Sequence, residues 1–249
     1  MQHPLRSPAW RALEEAAHAI PLHDHLRVVR LMHEYVVGIR QLAGLPPVVA
    51  LFGSARAHPA EAHYQAAQET ARLLAEAGVG IITGGGPGIM EAGNRGAREG
   101  GARSIGCPIQ LAREERPNAY LDLALPFTFF APRKAALLSA RAFVVFPGGL
   151  GTLDELFEVL AAMQTGKLTR VPLILYDSAF WRGLLDWLRE TLVEAGTMDT
   201  SDPDLLVLCD EPRAIVAKVL AALHDQQQRG EGAVEMQPGP RRRLVEVAP

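Results

Sequence analysis

The sequence predicts an α/β fold, a doubly wound parallel sheet with a helical extension at its N-terminus, on three observations. Short, continuously apolar runs recur at Val48–Phe52, Val79–Thr83, Ala102–Cys107, Ala142–Phe146, Val171–Tyr176 and Leu205–Leu208. Stretches of helical periodicity separate them, and apolar strands that alternate with helices belong to a parallel sheet buried on both faces. Glycine-rich turns follow several of these runs, at Gly53, Gly84–Gly88 and Gly148–Gly151, the strand-to-helix junctions where such sheets hold ligands.

Residues 1–45 come before any strand signal and form the N-terminal extension. Within Trp10–Leu42, the residues Leu22, Leu26, Val29, Met32, Val36 and Ile39 recur at helical spacing, so the helix carries an apolar stripe. That stripe needs a cover, either the sheet domain or a second subunit. Gly44-Leu45-Pro46-Pro47 stops the helix, and residues 46–224 form the nucleotide-binding domain. Its helices are expected from about Pro59 to Ala77 with Gly78 just beyond, over Ile89–Glu99, over Pro132–Ala140, after Pro147, over Trp181–Ala195 and over Pro212–Leu223. Pro108–Phe130 is irregular, with an extended piece at Asp122–Phe129, and its length favours a functional loop. Residues 225–249 lack periodicity and read as a disordered tail.

With 48% hydrophobic and 21% charged residues, the 249-residue chain can bury a sizeable core. A net charge of −3 gives no electrostatic case for nucleic acid or an anionic membrane as partner. No apolar run reaches the roughly 18 residues of a spanning helix, and the N-terminus does not read as a secretory signal. The two cysteines, Cys107 and Cys209, read as buried thiols in a reducing compartment, so a cytoplasmic protein is expected.

The glycine loops decide which chemistry is open. From Gly84 the third position of a dinucleotide fingerprint is occupied by Ile89, and no Gly-Lys-Ser/Thr follows any loop, so NAD chemistry and ATP hydrolysis lose their main support. A monophosphate remains, held by backbone N–H groups at a helix start. Two loops, Gly84-Gly85-Gly86-Pro87-Gly88 and Pro147-Gly148-Gly149-Leu150-Gly151-Thr152, can converge on one such ligand.

Glu155 has two readings. Thr152-Leu153-Asp154-Glu155 has the spacing of a capping box, and on spacing alone that is the better one. The other uses the face that Glu155 shares with Glu158, two carboxylates near a phosphate site that suit charge development on a sugar or activation of water. Arg133 and Lys134 follow Pro132 in the expected first turn of a helix, where the dipole disfavours cations by roughly 0.3–1 kcal/mol each. That cost calls for a partner, either a ligand phosphate or a carboxylate such as Glu155. His23 and His25 do not share a helix face and lack further ligands, so no metal is expected.

Three motifs in this order, Gly84–Ala92 (GGGPGIMEA), Pro132–Lys134 (PRK) and Pro147–Glu155 (PGGLGTLDE), resemble the LONELY GUY family of cytokinin-activating phosphoribohydrolases, whose members have also carried a lysine decarboxylase label. The similarity covers about Val48 to Leu223. It implies a Rossmann-like homodimer or higher homo-oligomer without a cofactor. Its activity would cleave the N-glycosidic bond of a purine nucleoside 5′-monophosphate, N6-modified or not, to free base and ribose 5-phosphate. By motif, Glu155 is the catalytic carboxylate and Arg133 its basic partner. Gly84, Gly85, Gly86, Gly88, Gly148, Gly149, Gly151 and Thr152 hold the phosphate, with Ser54, Met90 and Lys134 contributing and Glu91 and Glu158 as secondary candidates. Two rivals remain. A pyridoxal phosphate decarboxylase needs a Schiff-base lysine, for which Lys134 is the candidate near the cleft. A non-catalytic nucleotide or cofactor carrier needs the loops but has no use for Glu155.

Overall fold

Strand β1 (Val48–Phe52) is buried at every position, and its side chains alternate between two apolar layers. Val48, Ala50 and Phe52 enter one and Val49 and Leu51 the other, so both faces of the sheet are covered. This structure is a computed structural model, and it describes residues 22–110 and 116–229. The further strands are β2 (Gly80–Thr83), β3 (Ser104–Gly106), β4 (Leu123–Ala124), β5 (Ala142–Val145), β6 (Leu173–Tyr176) and β7 (Leu206–Cys209). All pair in parallel in the order β4-β3-β2-β1-β5-β6-β7, so the winding reverses between β1 and β5. This is the doubly wound, Rossmann-like α/β sheet.

The helices are α1 (Leu22–Leu42), α2 (Ala62–Glu76), α3 (Ile89–Glu99), α4 (Phe130–Leu137), α5 (Leu150–Gln164), α6 (Ser178–Trp187) and α7 (Pro212–Gln228). Helices α2, α3 and α7 bury their apolar faces in the layer of Val49 and Leu51, whereas α4, α5 and α6 cover the layer of Ala50 and Phe52. Among the described residues no helix is long and apolar enough to cross a membrane.

Helix α1 packs on α4 through the face opposite its apolar stripe. Gly38 is buried there, and a Cβ on it would meet the Phe127 ring at 3.2 Å, which only glycine avoids without rearrangement. Leu26, Val29, Met32, Val36 and Ile39 stay exposed, so within one chain the sheet domain does not cover the stripe. The part of Trp10–Leu42 before Leu22 lies outside the described residues.

Several helix boundaries depart from sequence expectation, among them the starts of α2 at Ala62 and not near Pro59 and of α6 at Ser178 ahead of Trp181. Helix α4 starts at Phe130, ahead of the expected Pro132, so Arg133 and Lys134 lie in its middle and last turn and the dipole argument for them does not hold. The earlier start is anchored by Glu34 of α1, whose carboxylate accepts from the N–H groups of Thr128 and Phe129. Helix α6 gives way after Trp187 to a π-helical turn, Leu188–Val193. Helix α7 runs past His224 to Gln228 because Gln226 is buried and donates to the Arg141 carbonyl. Asp225–Gln228 are therefore helical, and residues 230–249 lie outside the described residues.

Candidate active site

Chains leaving β1 and β5 must part where the winding reverses, and a crevice opens at the carboxyl ends of the two strands. The exits are held side by side: Phe146 N donates to Phe52 O at 2.8 Å, and Ser54 N donates to Pro147 O at 3.0 Å. A cavity of about 540 Å³ occupies the crevice, within the ~300–1,000 Å³ usual for small-molecule sites. Its walls are Phe52 to Arg56 after β1, Gly84 after β2, Met90 on α3, Arg133 on α4, and Gly149 to Thr152 with Glu155 on α5.

Helix α5 has Gly149 as its N-cap, in extended backbone and without a side-chain cap bond. The Gly148-Gly149 turn lets the helix begin at Leu150, and the N–H groups of Thr152 and Leu153 both reach the Gly149 carbonyl at 3.0 Å. Thr152 is thus inside the helix, and the capping box does not form. The first N–H groups of α5 have no intrahelical acceptor and carry the positive end of its dipole, an arrangement suited to an anion. A Cβ at Gly149 or Gly151 would meet open space, so the backbone here lies bare toward the crevice.

Freed from capping, Glu155 turns to Arg133. Its Oε1 accepts from Arg133 Nη1 at 2.8 Å, with the two side chains only 12% and 9% exposed for arginine and glutamate. Arg133 Nε also donates to the Cys107 carbonyl at 2.8 Å, which fixes the plane of the guanidinium. Burial holds the Glu155 carboxyl above the usual glutamate range, while the cations of Arg133 and Lys134 pull against it. The neighbouring Cys107 thiol is pushed by burial up to about 12, which makes it an inert core group.

The triple-glycine loop is placed differently from expectation. Only Gly84 lines the cavity, where a Cβ would collide with the Arg133 guanidinium and the Met90 sulfur. Gly85 turns away with φ of 77° and donates its N–H to Thr83 Oγ1 at 2.9 Å. The carbonyls of Gly85 and Gly86 accept from Asn118. Gly88, at φ of 69°, passes so close to Ser54 and Ala55 that no side chain fits, and the next residue, Ile89, donates its N–H to the Ser54 carbonyl at 3.0 Å. Gly85, Gly86 and Gly88 therefore lie behind the wall of the crevice and support it. So does Gly148, whose Cβ would strike Thr152.

Three further candidates also lie off the cavity. Lys134 bridges Asp154 at 2.7 Å and Glu158 at 3.2 Å, and Glu91 accepts from the Tyr64 hydroxyl at 3.0 Å. Ser54, Met90, Arg133, Glu155, Gly149, Gly151 and Thr152 are brought together with Gly84.

Sequence reasoning missed the residues that hold the loop. Asn94 accepts from Thr83 Oγ1 at 2.6 Å and from Asn118 Nδ2 at 2.9 Å, and donates to Ser104 Oγ and the Ile105 carbonyl. A signal existed for Asn94: it is a polar residue on the buried face of α3, among Ile89, Ala92 and Ala97. Asn118, in the irregular loop, gives no such signal.

Among the described residues no group of three or more His, Cys, Asp or Glu could hold a metal. The residues do not fit pyridoxal phosphate either. Burial lowers the Lys134 ammonium, but hydrogen bonds to Asp154 and Glu158 outweigh it and keep the group charged, and neither Lys167 nor Lys218 lines the cavity.

The family model described as "Possible lysine decarboxylase" matches residues 90–219. A "Probable cytokinin riboside 5'-monophosphate phosphoribohydrolase" of Oryza sativa subsp. japonica is 28% identical over 205 residues, covering 80% of this chain and 89% of the relative. A "Cytokinin riboside 5'-monophosphate phosphoribohydrolase" of Rhodococcoides fascians is 30% identical over 88 residues, 35% of this chain and 44% of the relative. Among solved structures, the molybdenum cofactor binding protein of Rippkaea orientalis matches with a TM-score of 0.57 at 19% identity, over 73% of this chain and 99% of that one. The Moco carrier protein of Chlamydomonas reinhardtii matches at 0.50 and 20% identity, over 74% and 99%. These two likenesses are of fold.

Proposed function

The chain belongs to the LONELY GUY family, and we propose that it hydrolyses the N-glycosidic bond of purine nucleoside 5′-monophosphates to free base and ribose 5-phosphate. The observation that carries this reading is the Arg133–Glu155 pair, buried and facing a crevice that the bare start of α5 also lines. The 5′-phosphate takes the α5 N-terminus at Gly149–Thr152, with Ser54 beside it. The ribose then lies over Glu155. As the base departs, positive charge develops on the sugar, and an ionised carboxylate in a dry site stabilises it while aligning water. Arg133 orients Glu155 and favours its ionised form against burial, and Met90 offers an apolar surface for the base. Assembly as a homodimer belongs to the same reading and is supported by the exposed apolar stripe of α1.

The test is Glu155→Gln. Glutamine keeps the shape but not the charge, so base release from AMP or an N6-substituted analogue should fall by about 10²–10³-fold, the scale of losing one electrostatic stabiliser. Binding of ribose 5-phosphate should persist. The carrier reading expects the reverse, a wild-type protein that binds nucleotide and releases no base, and chromatography of the products separates the two.

A further inference from the structure

The helix that carries Arg133 is anchored from outside itself. Phe129, the N-cap of α4, makes no side-chain cap bond of its own. The acceptor comes from the N-terminal extension: Glu34 Oε2 takes the N–H of Thr128 at 3.0 Å and of Phe129 at 3.1 Å. Glu34 is buried to 9% exposure, and its other oxygen faces Arg30 at 3.6 Å. Two more contacts grip the same short stretch, the Arg27 guanidinium 5.7 Å over the Phe129 ring and the close approach of Phe127 to Gly38. Helix α1 thus fixes where α4 begins.

Arg133 lies one helical turn beyond Phe129, and α4 is only eight residues long. So short a helix moves as a unit, and a shift at its start is carried to the Arg133 guanidinium. We infer that Glu34 is a positioning residue for the Arg133–Glu155 pair, so that helix α1 sets the geometry of a crevice whose walls come from other elements. A buried carboxylate is otherwise costly here, and the two peptide N–H groups at a helix start, together with Arg30 beside its other oxygen, stabilise it. This inference rests on the proposed hydrolase reading for its kinetic consequence and not for its electrostatic one.

The experiment compares full-length wild type with Glu34→Ala, which removes the acceptor, and Glu34→Gln, which keeps an acceptor oxygen without the charge. Two quantities are read: kcat and KM for AMP, and the titration midpoint of the Glu155 carboxyl by carbon NMR. Around Glu155 stand Arg133 and Lys134 from α4, Asp154 and Glu158 from its own helix, and the neutral Cys107 thiol. Of these groups, Arg133 is the one that hydrogen-bonds to it.

Loosening Arg133 in Glu34→Ala should raise the Glu155 midpoint and lower kcat by about tenfold, within the ~100-fold that a 1 Å misplacement can cost. KM should change less than about twofold, because binding at α5 is untouched. Glu34→Gln should restore most of both. If Glu34→Ala does not fold, Glu34→Asp, which withdraws the carboxylate by one methylene, takes its place with the same direction expected. An unmoved Glu155 midpoint, or a loss confined to KM, overturns the inference. If wild type releases no base from any nucleotide, the hydrolase reading falls and the Glu155 midpoint alone decides the role of Glu34.

Discussion

Replacing Arg133 with methionine should cost stability in a way that depends on pH, because it strands Glu155. On the alkaline side of its titration the carboxylate is charged, nearly buried and without its cation, since Lys134 is engaged by Asp154 and Glu158. Breaking one side of a buried pair costs about 3–5 kcal/mol. For a chain of this size that lowers the thermal midpoint by roughly 6–20 °C. On the acid side Glu155 escapes by taking up a proton. Burial already holds its folded pKa above the ordinary value of 4.5, and loss of Arg133 raises it further. Between the unfolded and folded pKa values the folded state binds more protons than the unfolded state, so stability falls as pH rises through that window. The window is wider in the variant. Near pH 4 the difference should therefore shrink toward the lost charged-donor bond to the Cys107 carbonyl, about 1.5–3 kcal/mol. Urea unfolding from pH 4 to 8 of wild type, Arg133→Met, Glu155→Gln and the double variant measures this. The double variant should recover most of the loss at pH 8. A wild-type-to-variant gap that stays flat across pH, or a double variant no more stable at pH 8 than Arg133→Met, would refute the stranded-charge argument.

Gly88→Ala combines a left-handed backbone with a Cβ driven into Ser54 O and the Ala55 backbone, so it should destabilise by more than about 2 kcal/mol in thermal melts and disturb the Ser54 wall of the crevice. Lys134→Ala removes ion pairs whose carboxylates, Asp154 and Glu158, are half-exposed. Its stability should stay within about 1 kcal/mol of wild type, the difference shrinking further in salt, and base release should change less than about threefold, as assayed by unfolding and product chromatography.

The sheet was legible because each core strand is a short apolar run buried on both faces, as Val48–Phe52 and Ala142–Val145 are. Helix starts were less legible. For α4 the sequence places Pro132 at the first turn, a sound local rule, but the acceptor that moves the start to Phe130 is Glu34, far away in the chain. For α5 the local rule of a Thr-to-Glu capping box lost to a preceding glycine turn that can satisfy the backbone by itself. The glycine loop after β2 shows a similar limit. Its composition suggested bare N–H groups, yet Thr83 and Asn118 take up its polar groups, and only Gly84 meets the crevice. The exposure of the α1 stripe also needed the structure, since periodicity marks an apolar face without saying what it meets.

Glu91, Glu155 and Glu158 were all open to a role at the sugar, and their surroundings separate them. Glu91 accepts from Tyr64, whose hydroxyl is itself held up to about 12, and Glu158 is half-exposed and paired with Lys134. A carboxylate that stabilises developing charge must be dry enough for its field to count and yet ionised. These demands conflict, because burial alone neutralises a carboxyl. Of the three, Glu155 alone lines the crevice, and Arg133 opposes the neutralisation that its burial favours. Packed apolar residues in place of a buried ion pair are often no less stable, so stability does not account for the pair. Its position on the cavity wall does, under the proposed hydrolysis: one residue carries the charge and the other keeps it there.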